Sequence, residues 1–96
     1  MELTTLQEKI KPVLQRADIQ YAGVFGSIAR GQATPKSDID ILVKFNGYPT
    51  FSRYLQLDQE LREVLNIDID LITEGGVNKF LRPEIERDLK LVYGQR

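Results

Sequence analysis

The chain of 96 residues has no cysteine and no histidine, and its 13 basic and 14 acidic side chains leave a formal net charge of −1. These counts exclude disulfides, thiolate or imidazole metal sites and a histidine base, so any catalysis must run on carboxylates, hydroxyls, amines, guanidinium groups or an oxygen-bound metal. The near-neutral balance argues against a long nucleic-acid partner, and no apolar run approaches the ~20 residues of a membrane span. "MELTTLQEKI" also lacks the basic start and apolar core of a signal peptide, so the expectation is a cytoplasmic protein with one domain over residues 1–96.

Leu3, Leu6, Ile10, Val13, Leu14 and Ala17 recur at helical spacing, Thr5 and Glu8 offer a capping box, and Pro12 predicts a kink or a restart. "YAGVF" (21–25) reads as a strand ended by Gly26, "SIARG" as a short helix closed by Gly31, and "QATPK" as a loop. Residues 38–45 predict a second strand and 46–49 a turn. Thr50 then caps a helix along Phe51, Tyr54, Leu55, Leu61 and Leu65. A third strand over 67–73 and a loop at 74–76 follow. The last helix starts near Pro83 and carries Ile85, Leu89 and Val92 on its buried face. The order αβαβαβα predicts an α/β fold of the α+β kind, a small mixed sheet of about three strands packed with helices. Phe51, Tyr54, Phe80 and Tyr93 sit at helical spacing, for which core packing is expected ahead of a partner surface.

The tripeptide Asp-Ile-Asp occurs at 38–40 and again at 68–70. Side chains alternate along a strand, so Ile39, Ile41, Val43 and Phe45 share the face that packs under helices. Asp38 and Asp40 point together to the opposite face, about 7 Å apart along the backbone. Two carboxylates at ~5 Å and an effective dielectric of ~20 repel by roughly 3 kcal/mol, and a divalent cation between them reverses that sign. Oxygen-only ligands suit Mg²⁺, which completes its shell with water and substrate phosphates. Taken alone, the tripeptide also fits a strand-start cap and a solvated face residue.

Its neighbourhood narrows the choice. Gly26 permits close backbone approach to a ligand, and Ser27 offers a hydroxyl beside the free amides of a helix start. Arg30, one turn on, has the fork to hold a phosphate in two bonds. The stretch between Phe25 and Asp38 is short for a full parallel crossover. If the second strand runs antiparallel to the first, Asp38 and Asp40 stand next to Gly26 and Ser27. Metal-binding carboxylates beside a phosphate cradle point to metal-assisted phosphoryl or nucleotidyl transfer.

"GSIARGQATPKSDIDILVKF" resembles the signature of the DNA polymerase β-like nucleotidyltransferase superfamily, Gly-Ser followed after a spacer by Asp-x-Asp. On a chain this short it looks like the minimal nucleotidyltransferases of bacteria and archaea, and the likeness extends through "IDLITEGGV" to the "VY" near the C-terminus. The resemblance implies that Asp38 and Asp40 are ligands of two Mg²⁺ ions and that Gly26 and Ser27 hold the triphosphate of ATP. Arg30 would contact phosphate or give structural support. It further implies transfer of AMP to a hydroxyl with release of pyrophosphate. Many minimal members are antitoxins paired with a HEPN-domain RNase toxin, and some adenylylate a tyrosine of it, so such a partner and a hetero-oligomer are expected. Ile28 departs from the Arg or Tyr that the family often carries there.

The two-metal mechanism needs a third carboxylate. Asp68 and Asp70 share a strand face, so periodicity does not choose between them. The resemblance favours Asp70, because the family's third acid stands in an apolar-Asp-Leu-apolar context shortly before a Thr-Glu turn. Two rival expectations stand beside the enzyme: an antitoxin that neutralises by binding alone, and a transferase acting on a small molecule.

Overall fold

The structure, a computed structural model, describes residues 2–34 and 38–96. In chain order it has α1 (Leu3–Arg16), β1 (Ile19–Phe25), β2 (Ile39–Phe45), α2 (Phe51–Leu65), β3 (Ile69–Thr73), a 3₁₀ turn (Glu74–Gly76), α3 (Arg82–Asp88) and β4 (Lys90–Gly94). The strands form one sheet in the order β3-β2-β1-β4. β1 runs antiparallel to β2 and β4, and β2 runs parallel to β3, so the sheet is mixed.

Strand alternation sorts the side chains onto two faces. Ile39, Ile41, Val43 and Phe45 are buried with Leu6, Ile10 and Leu14 of α1 and Leu57, Leu61 and Leu65 of α2. The opposite face carries a smaller cluster of Tyr21, Phe25, Leu42 and Ile85, the last from α3. Asp40 and Asp70 belong to that second face. The Thr50 hydroxyl accepts a hydrogen bond from the Arg53 amide at 3.1 Å and starts α2 as its sequence predicts.

Four expectations need correction. First, residues 90–94 are a strand, not the end of a helix, and the sheet therefore has a fourth strand. Ile85, Leu89 and Val92 fit helical spacing, but β1 has a second edge whose backbone groups need partners, and the tail supplies them. Gly23 makes the approach possible, since a Cβ there would lie 2.7 Å from Leu89 Cδ1. Second, α1 begins at Leu3, upstream of the Thr5–Glu8 pair, and runs through Pro12 without a restart. Third, residues 26–31 are consecutive turns and not a helix, joined by Arg30 N–H to Gly26 O (3.2 Å), Gly31 N–H to Ile28 O (3.2 Å) and Gln32 N–H to Ser27 O (2.8 Å). Residues 35–37 of the loop that follows lie outside the described residues. Fourth, Phe51 and Phe80 are 75% and 81% exposed, while Tyr54 and Tyr93 pack half-buried against the core.

β3 is an edge strand, and α2 blunts it. Arg62 Nη2 donates to Ile69 O at 2.7 Å, and the Tyr54 hydroxyl donates to Leu71 O at 2.6 Å. Both carbonyls face away from β2, because the Ile39 amide bonds the alternate one, Asp68 O, at 3.3 Å. The same contacts hold in place the strand that carries Asp70. Tyr54→Phe should therefore cost about 1 kcal/mol of stability, measured as a lower urea midpoint with unchanged slope.

Candidate active site

β2 lies between β1 and β3, and the two pairings place Asp40 opposite Phe25 on one side and Asp70 on the other. Parallel partners in direct register present their side chains on the same face, so the two carboxylates stand side by side. Gly26 follows Phe25 immediately and adopts φ +73°, where an L side chain is strained. A Cβ at Gly26 would also collide with Asp40 Oδ2, and it would stand 3.7 Å from Glu84 Oε1 of α3. The backbone of the 26–31 turn therefore rests directly against the Asp40 carboxylate. Ser27 is half-buried at the start of that turn, and Asp38 is exposed just before β2 begins.

The crowding has an electrostatic signature. Burial pushes the Asp40 carboxyl up to about 6, helped by the charge of Asp70, then that of Glu84, a hydrogen bond to Asp70, and the charge of Asp38. Such a carboxylate pair gains from a cation, and its all-oxygen donor set matches a hard ion such as Mg²⁺. Among the described residues no three acidic side chains are already gathered around one ion position. The fit to a metal therefore rests on the Asp40–Asp70 pair, with Asp38 and Glu84 flanking it.

Asp68 stands apart from this group. It precedes β3, its side chain is 83% exposed, and Arg62 Nη1 holds its Oδ1 at 3.2 Å. Of the second Asp-Ile-Asp, Asp70 is the residue brought beside Asp40. Arg30 is already engaged: Nη1 donates to Asp88 Oδ2 at 2.8 Å and lies 3.7 Å from Glu84 Oε1, and Nε donates to Gln32 Oε1 at 3.1 Å. Sequence reasoning missed Glu84 and Asp88 altogether. Glu84 follows Pro83 in a first helical turn, where an acid needs no functional reason, and only the packing of α3 brings it to the cleft.

The raised Asp40 value carries a pH dependence. Its carboxyl titrates near 3.8 ordinarily and about 6 in the fold, so the folded state binds the extra proton inside that window and loses stability as pH rises through it. In metal-free buffer, Asp40→Asn should raise Tm at pH 7.5 by about 4 °C, and the gain should vanish below about pH 4. Thermal melts across that range check it.

A protein-family model described as polymerase beta, nucleotidyltransferase, matches residues 8–96. A relative from Methanocaldococcus jannaschii, provisionally named a protein adenylyltransferase, is 40% identical over 92 residues, covering 92% of each chain. The protein adenylyltransferase MntA of Thermococcus cleftensis is 30% identical over 82 residues, covering 85% of this chain and 83% of its own. Among solved structures, a toxin–antitoxin crystal structure with AMP-PNP superposes with a TM-score of 0.79 at 26% identity, covering 94% of this chain and 74% of the other.

Proposed function

The chain belongs to the polymerase β nucleotidyltransferase family, and from that premise we propose that it is a Mg²⁺-dependent adenylyltransferase moving AMP from ATP to a hydroxyl. We assign the hydroxyl to a tyrosine of a partner HEPN RNase toxin, which makes this chain the cytoplasmic antitoxin of a hetero-oligomeric pair, with residues 1–96 acting as one nucleotidyltransferase domain. The observation that carries the reading is the row of Gly26, Asp40 and Asp70, a backbone turn and two carboxylates from adjacent strands converging at one end of the sheet. The relatives named protein adenylyltransferases and the toxin–antitoxin structure with an ATP analogue support the donor and the partner class.

In this mechanism Asp38, Asp40 and Asp70 would hold two Mg²⁺ ions, which supply charge neutralisation on the triphosphate and a more acidic acceptor hydroxyl. The Ser27 hydroxyl and the backbone amides beside Gly26 donate to the β- and γ-phosphate oxygens. Gly26 is needed there because any side chain would fill the space between the turn and Asp40. Asp70, more exposed than Asp40, accepts the proton of the acceptor hydroxyl. The hydroxyl oxygen attacks the α-phosphorus in line, the bond from that phosphorus to the β-bridging oxygen breaks, and pyrophosphate leaves. Little covalent work falls to the protein; it positions and neutralises.

Incubation with ATP, Mg²⁺ and the toxin encoded beside this chain should add the mass of one or more AMP units to a toxin tyrosine, read by intact mass and peptide mapping. Asp70→Asn should lower that transfer by at least ~100-fold, while Asp68→Asn should leave it within a few-fold of wild type. Inhibition of the toxin with no mass gain would replace the enzyme with a binding-only antitoxin.

A further inference from the structure

Residues 26–31 close through three backbone hydrogen bonds and have no helix to stiffen them. On the face shared with α1 and α2 the turn is anchored by Ile28 and Ala29, which are buried in the main core. On the opposite face its anchor is Arg30, whose Nη1 meets Asp88 Oδ2 at 2.8 Å. The Asp88 side chain is only 8% exposed although it is charged, and Arg87 also bonds it, Nε to Oδ1 at 3.0 Å. Charged groups are withdrawn from water this far when they are paired and hydrogen-bonded.

Asp88 is also the point of α3 joined most directly to the sheet. It is the last residue of that helix, and two residues later Lys90 pairs with Val24 while Leu91 pairs with Gly23. Leu89, between them, packs over Gly23, where there is no side chain to hold it off. The carboxylate of Asp88 is thus referenced to β1, the strand that runs directly into Gly26. Glu84, one helical turn back, reaches the same guanidinium at 3.7 Å and lies beside Gly26.

We infer that Asp88 is a positioning residue for the nucleotide site: by clamping Arg30 against the β1–β4 platform, it fixes the 26–31 turn and so sets Gly26 and Ser27 against Asp40. The inference rests on the nucleotidyl-transfer reading and gives Arg30 the role of strut, with its guanidinium committed to α3. The ligand of the site is the triphosphate that the turn would hold. A misplaced turn costs binding of that group first, ahead of the transfer step.

Binding of ATP with Mg²⁺ to the full chain, measured by titration calorimetry, tests this without requiring the partner toxin. Asp88→Asn should weaken ATP binding by about ten- to a hundredfold, the scale of misplacing a held group, with a native far-UV spectrum. Asp88→Glu should recover most of the affinity. Should Asp88→Asn fail to fold, the double variant Arg30→Asp with Asp88→Arg decides the matter. Recovery of affinity by the swapped pair, relative to Arg30→Asp alone, supports the strut. No recovery in a folded double variant overturns it and returns Arg30 to direct phosphate contact. Wild-type affinity in a folded Asp88→Asn variant overturns it as well. No ATP binding by the wild type would instead overturn the nucleotidyl-transfer reading itself.

Discussion

Pairing of β2 on both sides, antiparallel to β1 and parallel to β3, is the constraint from which the site follows. Antiparallel pairing brings the start of β2 to the end of β1, where the chain turns at Gly26. Parallel pairing in direct register brings Asp70 to Asp40. A one-residue slip in either ladder would turn the carboxylates into the apolar layer under α1 and α2. The buried row of Ile39, Ile41, Val43 and Phe45 resists such a slip, because each of those side chains is almost wholly withdrawn from water. The same alternation that builds the core therefore presents the acids.

Burying Asp40 and then placing Asp70 beside it both oppose folding, and both push the Asp40 carboxyl up. The main core lies on the other face and carries the stability. The side-by-side carboxylates Asp40 and Asp70 break a local rule where the chemistry is expected, next to the positive-φ Gly26. Glu84 adds a third negative charge from α3, with the guanidinium of Arg30 close by to moderate it.

Much of this was legible in the residues. Periodicity located α1, α2 and three strands, and Thr50 marked its helix start. Strand alternation put Asp40 on the face opposite the core, and the short connection between the first two strands suggested their antiparallel pairing. The final strand was not legible, because Ile85, Leu89 and Val92 satisfy a helical period as readily as "KLVYG" satisfies a strand. Only the free edge of β1 decides between them. The partner of Arg30 was hidden for another reason: Asp88 lies 58 residues away in sequence and no local pattern joins them. Asp68 and Asp70 are equivalent by period, and they part only because Arg62 takes the first while the register with β2 takes the second.

The capped edge of β3 bears on how this small chain meets other proteins. With Ile69 O and Leu71 O already satisfied by Arg62 and Tyr54, an incoming strand finds two acceptors that are taken. Backbone addition at that edge would first have to break two good hydrogen bonds. At that edge recognition is left to side chains, and large aromatic ones are exposed at Tyr48, Phe51 and Phe80. An edge that reads side chains and refuses bare backbone discriminates between partners by sequence. It is also poor at joining the indiscriminate strand stacking that makes unprotected sheet edges hazardous.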